Sequence, residues 1–318
     1  MRKTFNYKAN VNKKTSVVFL GWVELCRKLY NTALEQRITL WTHRRKSLSY
    51  IDQTYEIKNL RKEFPEYAAI NSQVLQDPLK RIDLAFQAFY KRCKLKGIKS
   101  GFPKFKPRGF YRSITFKNTG WDLNDKYLDV HNVGRFKLFL SRPIEGDIKT
   151  ITIRLSMTNK WFVSFSCDNV PEKQHIQTNS ETTISDDGVL TAPPNMIKSI
   201  NRLDKIQKEI ENKQKNSNRR IKTRLLIEKI YEKIVNQRKD FLHKNTNKII
   251  KENDTINIID SPKSDDTKPL LTMGWYMLIE MLKYKASEAH RLLQLLKKDT
   301  KNGNKNNTTK RKRSTISK

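Results

Sequence analysis

The chain has 318 residues, and its 65 Lys and Arg against 32 Asp and Glu leave a net charge of +33. Self-repulsion of that size calls for a polyanionic partner. Apolar residues make up 36%, with 14 Phe, 11 Tyr and 5 Trp, so the chain can fill real cores; a wholly disordered basic protein is excluded, and the length points to two or three domains.

Residues 17–34 place Val18, Trp22, Leu25, Cys26, Leu29 and Tyr30 at steps of three and four, which predicts a helix with one apolar face. A second helix is expected over 53–64, stopped by Pro65. A third runs over 72–96, with Leu75, Leu79, Ile82, Ala85, Phe86 and Phe89 inward and Pro78 in its second turn. Between Lys91 and Arg112 stand nine basic residues and no acid, interleaved with Phe102, Phe105, Phe110 and Tyr111. Glycine and proline make this an extended loop, and the interleaved aromatics favour a phosphate-tracking surface over a solvated linker.

Short alternating runs follow at 113–116, 127–130, 135–140, 148–155 and 161–167, the pattern of an antiparallel sheet or small barrel. Residues 171–182 are polar and aperiodic. After Pro193-Pro194, Ile197, Ile200, Leu203, Ile206 and Ile210 stripe one helix; Ile221, Leu225, Tyr231, Ile234, Leu242 and Ile249 stripe a second, with a turn at 216–218. Residues 196–251 hold 17 basic against 6 acidic side chains, too lopsided for an ordinary coiled coil. A short buried strand at 255–259, a loop at 261–269 and a final amphipathic helix over 275–296 complete the pattern, and the basic tail from 298 to the end reads as disordered without a ligand.

The apolar stretches fall short of the roughly 18 to 20 residues that cross a bilayer, and residues 1–10 lack a signal-peptide core, so a soluble cytoplasmic protein with no membrane partner is expected. Cys26, Cys93 and Cys167 are too far apart for a zinc half-site and read as packed thiols. The five histidines have no ligand spacing, and no P-loop or G-x-G-x-x-G occurs.

Several strings together resemble the TnpB family of transposon-encoded RNA-guided DNA nucleases: Leu29-Tyr30-Asn31, Val74-Leu75-Gln76 through Phe89, Gly101-Phe102-Pro103-Lys104-Phe105-Lys106, the run from Glu232 to Lys244, and Glu252-Asn253-Asp254-Thr255. The resemblance implies an α+β multidomain fold. Residues 1–12 and 97–171 would form a wedge-type β-barrel, 13–96 an inserted helical recognition domain, and 172–297 a degenerate RNase H-like (RuvC) domain lacking the zinc ribbon. The implied partners are a guide RNA and double-stranded target DNA, with one protein per guide, near the nucleoid of a bacterium.

A RuvC nuclease needs three carboxylates around two divalent metals. The resemblance places the first eleven residues before the turn Ser185-Asp186-Asp187-Gly188, where His175 and Ile176 stand. It places the second on Ile259, while neighbouring Asp260 points to the other face of the strand. The third belongs after a zinc ribbon that the matched sequence does not contain. The sequence therefore predicts no catalytic residue, no metal site and no cofactor, and it is similar to the nuclease-dead TnpB-like repressors. The alternatives are a residual nuclease using Asp187 and Asp260, and a decayed transposon remnant that only binds RNA.

By match to the family's motif readers, Tyr50, Thr54, Ser72, Gln73, Gln76, Lys117 and Asn118 are the expected contacts to a DNA motif flanking the target. Arg92, Lys104, Lys106, Arg108, Arg112, Arg219, Arg220, Arg224, Arg238 and Lys239 are the expected contacts to nucleic-acid backbone.

Overall fold

A computed structural model describes residues 1–95, 97, 100–172, 179–185, 192–260 and 269–297, with the backbone alone for 260, 269–273 and 297. The chain forms two compact units, Met1–Glu172 and Lys173–Lys318.

In the first unit, strand β1 (Lys3–Val11) leads into helices α1 (Lys13–Arg44), α2 (Tyr50–Glu63), α3 (Pro65–Ala68) and α4 (Ser72–Cys93). Six strands follow: β2 (Ser113–Phe116), β3 (Trp121–Asn124), β4 (Tyr127–Val130), β5 (Gly134–Phe139), β6 (Asp147–Leu155) and β7 (Trp161–Asp168). They make one sheet in the order β2-β6-β7-β1-β5-β4-β3, with every neighbouring pair antiparallel. No ladder joins β2 to β3 among the described residues, so this α+β unit pairs helices with an antiparallel sheet that is not closed by hydrogen bonds into a barrel.

Alternation sets which face is buried. Phe5, Tyr7 and Ala9 of β1 point with Val163 and Phe165 of β7 and Phe136 and Leu138 of β5 into one core. That core continues through Phe19, Trp22 and Cys26 of α1 into Leu75, Leu79 and Ile82 of α4, so helices and sheet share a single apolar interior. Helix α1 begins four residues before the apolar pattern, because the Asn12 side chain accepts from the Thr15 N–H at 2.7 Å and caps it. Helix α2 likewise begins three residues early, at a capping box between Ser49 and Asp52. Pro65, read as a stop, opens the short α3 at its first position.

Gly134 sits at φ +126, with the site of a Cβ well inside van der Waals contact of Thr15 Oγ1. Gly134→Ala therefore meets both a backbone penalty and a clash at the start of α1, and a loss of roughly 2 kcal/mol or more is expected in denaturant unfolding. An unchanged midpoint would contradict the packing described.

The second unit has strand β8 (Glu181–Ser185), helices α5 (Pro194–Glu211) and α6 (Asn218–Glu252), strand β9 (Thr255–Asp260), helix α7 (Pro269–Glu288) and strand β10 (Leu292–Lys297). The strands form a parallel sheet in the order β10-β9-β8, as helical crossovers between successive strands require. Leu242 and Ile250 of α6 and Trp275, Leu278 and Leu282 of α7 pack with Ile184, Ile256 and Ile258 of the sheet. Helices α5 and α6 form a hairpin around Leu203, Ile206, Ile230 and Ile234.

Four expectations are corrected here. The last helix ends at Glu288, where His290 takes φ +54, the Arg291 N–H reaches back to the Ala286 carbonyl at 2.8 Å and the His290 N–H to Ser287 at 3.4 Å. This left-handed end usually carries glycine, so His290 hides the stop and the leucines of β10 read as more helix. Ile197, Ile221 and Leu225, assigned to the buried stripes, are 45%, 59% and 38% exposed, because the hairpin instead seals through Thr223 and Ile230. Cys93 is exposed, whereas Cys26 and Cys167 are buried. Strands β3 and β8 lie outside the expected pattern: β3 fully buries no side chain, and β8 carries a single apolar residue, Ile184. The disordered-tail reading of 298–318 and the loop over 261–268 fall outside the described residues. Among the described residues no helix is long and apolar enough to cross a membrane.

Candidate nucleic-acid interface

Ser72, Gln73, Gln76 and Lys80 share one face of α4, since they recur at helical spacing. The first turn is fixed by the Asn71 side chain, which accepts from the Gln73 N–H at 2.9 Å. The loop between β2 and β3 is held against that turn: Asn71 Nδ2 donates to Thr119 Oγ1 at 3.3 Å, and the Thr119 hydroxyl donates to Gln73 Oε1 at 3.2 Å. Lys117 and Asn118, next in that loop, are exposed. On the other flank the Lys80 ammonium lies 5.0 Å from the Tyr50 ring, which brings the start of α2 alongside. Thr54 follows Tyr50 by one turn, although its hydroxyl donates to the Ile51 carbonyl at 2.7 Å. The predicted motif readers therefore meet on one surface of half-buried amides and exposed loop groups, with Ser72, Gln73 and Gln76 at its centre.

Helix α4 is bolted beneath this surface by a half-buried ion pair. Arg81 Nη2 lies 2.8 Å from Asp77 Oδ2, and the same guanidinium donates to Ser113 Oγ at 3.0 Å and Thr115 Oγ1 at 3.3 Å of β2. Burial pushes the Asp77 carboxyl above the ordinary aspartate range, and Arg81 and Thr115 pull it back. The Arg81 guanidinium also stacks 5.0 Å from the buried Tyr111 ring, at the end of the aromatic–basic loop.

That loop is pinned at several points. The Asn31 side chain accepts from the Lys106 N–H at 2.8 Å and donates to the Lys106 carbonyl at 3.1 Å, a carbonyl that Arg27 Nη1 also reaches at 2.8 Å. Arg27 in turn holds the Glu24 carboxyl below its usual range, against the opposing effect of burial. Phe102 packs edge-on against Phe86 at 5.4 Å and Phe89 at 5.3 Å, and Arg92 donates to the Gly101 carbonyl at 2.9 Å. What remains outward is Phe105, Phe110, Lys104 and Arg108, alternating rings and cations suited to stacking bases and pairing phosphates. Asn31 and Arg27 were not among the predicted site residues; the string Leu29-Tyr30-Asn31 was the one sequence signal that could have found them.

The predicted backbone contacts divide. Lys104, Arg108, Arg219, Arg224 and Lys239 are exposed. Lys106 is half-buried with its ammonium 5.7 Å from the Tyr30 ring. Arg112 spends Nε and Nη1 on the carbonyls of Gly109 and Ser156, and Arg220 caps α5 through the carbonyls of Ile210 and Lys213. Arg238 is only 4% exposed, in line with Ile234 and Leu242 on the buried stripe, and burial lowers its pKa. These three serve the fold, and sequence could not separate them from their exposed neighbours because charge does not report direction.

In the second unit Ile259 pairs in register with Ser185 of β8 and Leu296 of β10. A hydrocarbon flanked by a hydroxyl and another hydrocarbon supplies no carboxylate there, so this position does not fit a divalent-metal pair. His175, Ile176 and Asp187 lie outside the described residues, and of Asp260 the backbone alone is described. Among the described residues no three His, Cys, Asp or Glu gather as they would around a metal ion.

Comparison with known proteins points to one group. Residues 178–261 match the OrfB_IS605 family model, described as "Probable transposase". A "Putative RNA-guided DNA endonuclease" of Streptomyces pristinaespiralis is 24% identical over 308 residues, taking in 90% of this chain and 75% of that protein. The "Putative RNA-guided DNA endonuclease InsQ" of Escherichia coli K12 is 25% identical over 246 residues, taking in 67% of this chain and 60% of that one. These are proteins that the chain resembles, at 24–25% identity. Among solved structures, a chain in a cryo-EM structure of the Cas12f1–sgRNA–target DNA complex aligns with 94% of this chain and 86% of its own at 13% identity, with a TM-score of 0.30, too loose a likeness to bear on the fold.

Proposed function

We propose that the protein is an RNA-guided DNA-binding repressor of the TnpB kind that holds its target without cutting it. The α4 surface reads a short motif beside the target through amide, hydroxyl and lysine groups facing base edges. The aromatic–basic loop and the exposed basic face of α6 grip nucleic-acid backbone, and guide pairing supplies the sequence, which needs no protein catalysis. Bound at a promoter, such a complex excludes RNA polymerase sterically. Ile259 at the matched glutamate position carries the inactive half of the reading.

The test loads the full chain with its guide and incubates it with a motif-flanked target in Mg²⁺ or Mn²⁺. Binding that follows a change of guide sequence, with intact DNA recovered, is expected; specific nicks restore the residual nuclease, and binding indifferent to the guide favours the decayed remnant. Within the same assay Gln76→Ala is expected to relax the motif preference by about 1–3 kcal/mol at one base position, whereas Lys104→Ala weakens all flanking sequences alike. Equal effects of the two changes on every motif would remove Gln76 from the reading surface.

A further inference from the structure

Strand β10 stands at one edge of the second unit's sheet, paired with β9 on one side and with no second neighbour among the described residues. The backbone N–H and C=O groups on its outer side are a template for another strand. Natural sheets blunt such edges with proline, bulges or charges. Residues 292–296 carry none of these: the ladder to β9 runs in unbroken register, and the strand reads Leu292-Leu293-Gln294-Leu295-Leu296. Leu292, Leu295 and Leu296 are 54%, 54% and 40% exposed, so apolar surface lies open on both faces of the strand. The charge that precedes it is already held, because Arg291 pairs with Asp254.

The string from Leu292 to Leu296 reads the same in both directions. Two antiparallel copies related by a two-fold axis at Gln294 therefore match at every position. Leu292 faces the partner's Leu296, Leu293 the partner's Leu295, and Gln294 the partner's Gln294. The leucines meet leucines on both faces, and the two amides each donate and accept, so no polar group is set opposite a hydrocarbon. A slip of one residue would set Gln294 against leucine. Leu293 packs on the core of the second unit, so its pairing with the partner's Leu295 carries that core across the axis. We propose that β10 is a self-association edge, through which two copies of this chain join their three-stranded sheets into one. An edge of this length buries less than the roughly 1,200–2,000 Å² of a stable interface, so the dimer forms at concentrations on the order of 10 µM and not at nanomolar ones. The inference does not depend on the function proposed above.

Sedimentation equilibrium of the full chain from about 1 to 200 µM is expected to show a monomer–dimer equilibrium that tightens in 0.5 M salt, where the net positive charge is screened. Copies bridged by nucleic acid would instead separate as salt rises. Leu295→Lys, at an exposed position, is expected to weaken the dimer at least tenfold; should that variant unfold, Gln294→Lys repeats the measurement. Cysteine cross-linking reads the register, in a Cys93→Ser background because Cys93 is exposed. Treated with diamide, Gln294→Cys should form a disulfide-linked dimer, since directly opposed Cα atoms lie about 4.5–5.5 Å apart. Leu292→Cys alone should not, because its two copies stand about four residues, or roughly 13 Å, apart along the strands; mixed with Leu296→Cys it should cross-link. A monomer at every concentration, association lost in salt, or a dimer untouched by the lysine variant overturns the pairing and leaves the edge to another occupant. Cross-linking of Leu292→Cys alone as readily as Gln294→Cys overturns it as well.

Discussion

Arg81→Met should cost the first unit about 2–3 kcal/mol, less than breaking a fully buried pair because Arg81 and Asp77 are 29% and 17% exposed. The guanidinium is the ion-pair partner of Asp77, whose side chain is 17% exposed, and it also satisfies Ser113 and Thr115. Methionine fills much of the same volume but strands a half-buried carboxylate, and that uncompensated charge is what costs. The double change Asp77→Leu with Arg81→Met removes both charges and should recover most of the loss. Urea unfolding of the four variants reads the coupling directly. If Arg81→Met alone left the midpoint in place, the bolt between α4 and β2 would not exist. Because the motif readers ride on α4 and Tyr111 ends the loop, the same variant is expected to weaken DNA binding at temperatures where it is still folded.

The second large effect is ionic. Nucleic-acid affinity of the intact protein should fall by on the order of 10³–10⁵ between 50 and 200 mM salt if about six to ten phosphates are neutralised. Exposed cations carry that slope. Arg219→Gln, Arg224→Gln and Lys239→Gln should each flatten it by about one counterion and leave thermal stability nearly unchanged. Arg238→Gln, at a side chain 4% exposed, should do the reverse, lowering the melting temperature of the second unit while the slope stays put. Salt titrations of binding beside thermal melts check both halves. Flattening by Arg238→Gln equal to that by Lys239→Gln would mean that α6 turns another face outward.

Much of the local architecture was legible in the residues. Apolar spacing located α1, α4 and α6, and strict alternation located β2 and β4 through β7, because both periods are imposed by the backbone and leave their mark wherever one side is buried. Helix beginnings were legible less well: Asn12 and Ser49 extend α1 and α2 beyond their apolar stripes through side-chain caps that the stripe itself does not record. The end of α7 left no trace, since His290 stands where a glycine would have announced it. The candidate site divides in the same way. Its residue types were visible in the string around Gln76 and in the alternation of Phe with Lys and Arg. The grip of Asn31 on Lys106, from 75 positions away, was not.

By itself the sequence determined that this is a strongly basic protein with enough apolar residues for real cores, and its resemblance to TnpB nucleases implied a glutamate where Ile259 stands. Charge and apolar content follow from side-chain chemistry, which a string of letters carries in full. Only the tertiary structure decided which cations are free to act. Arg112, Arg220 and Arg238 are turned inward to carbonyls or core, while Arg219, Arg224 and Lys239 face water. Direction depends on where distant elements pack, and a charge reads the same in sequence whichever way it points.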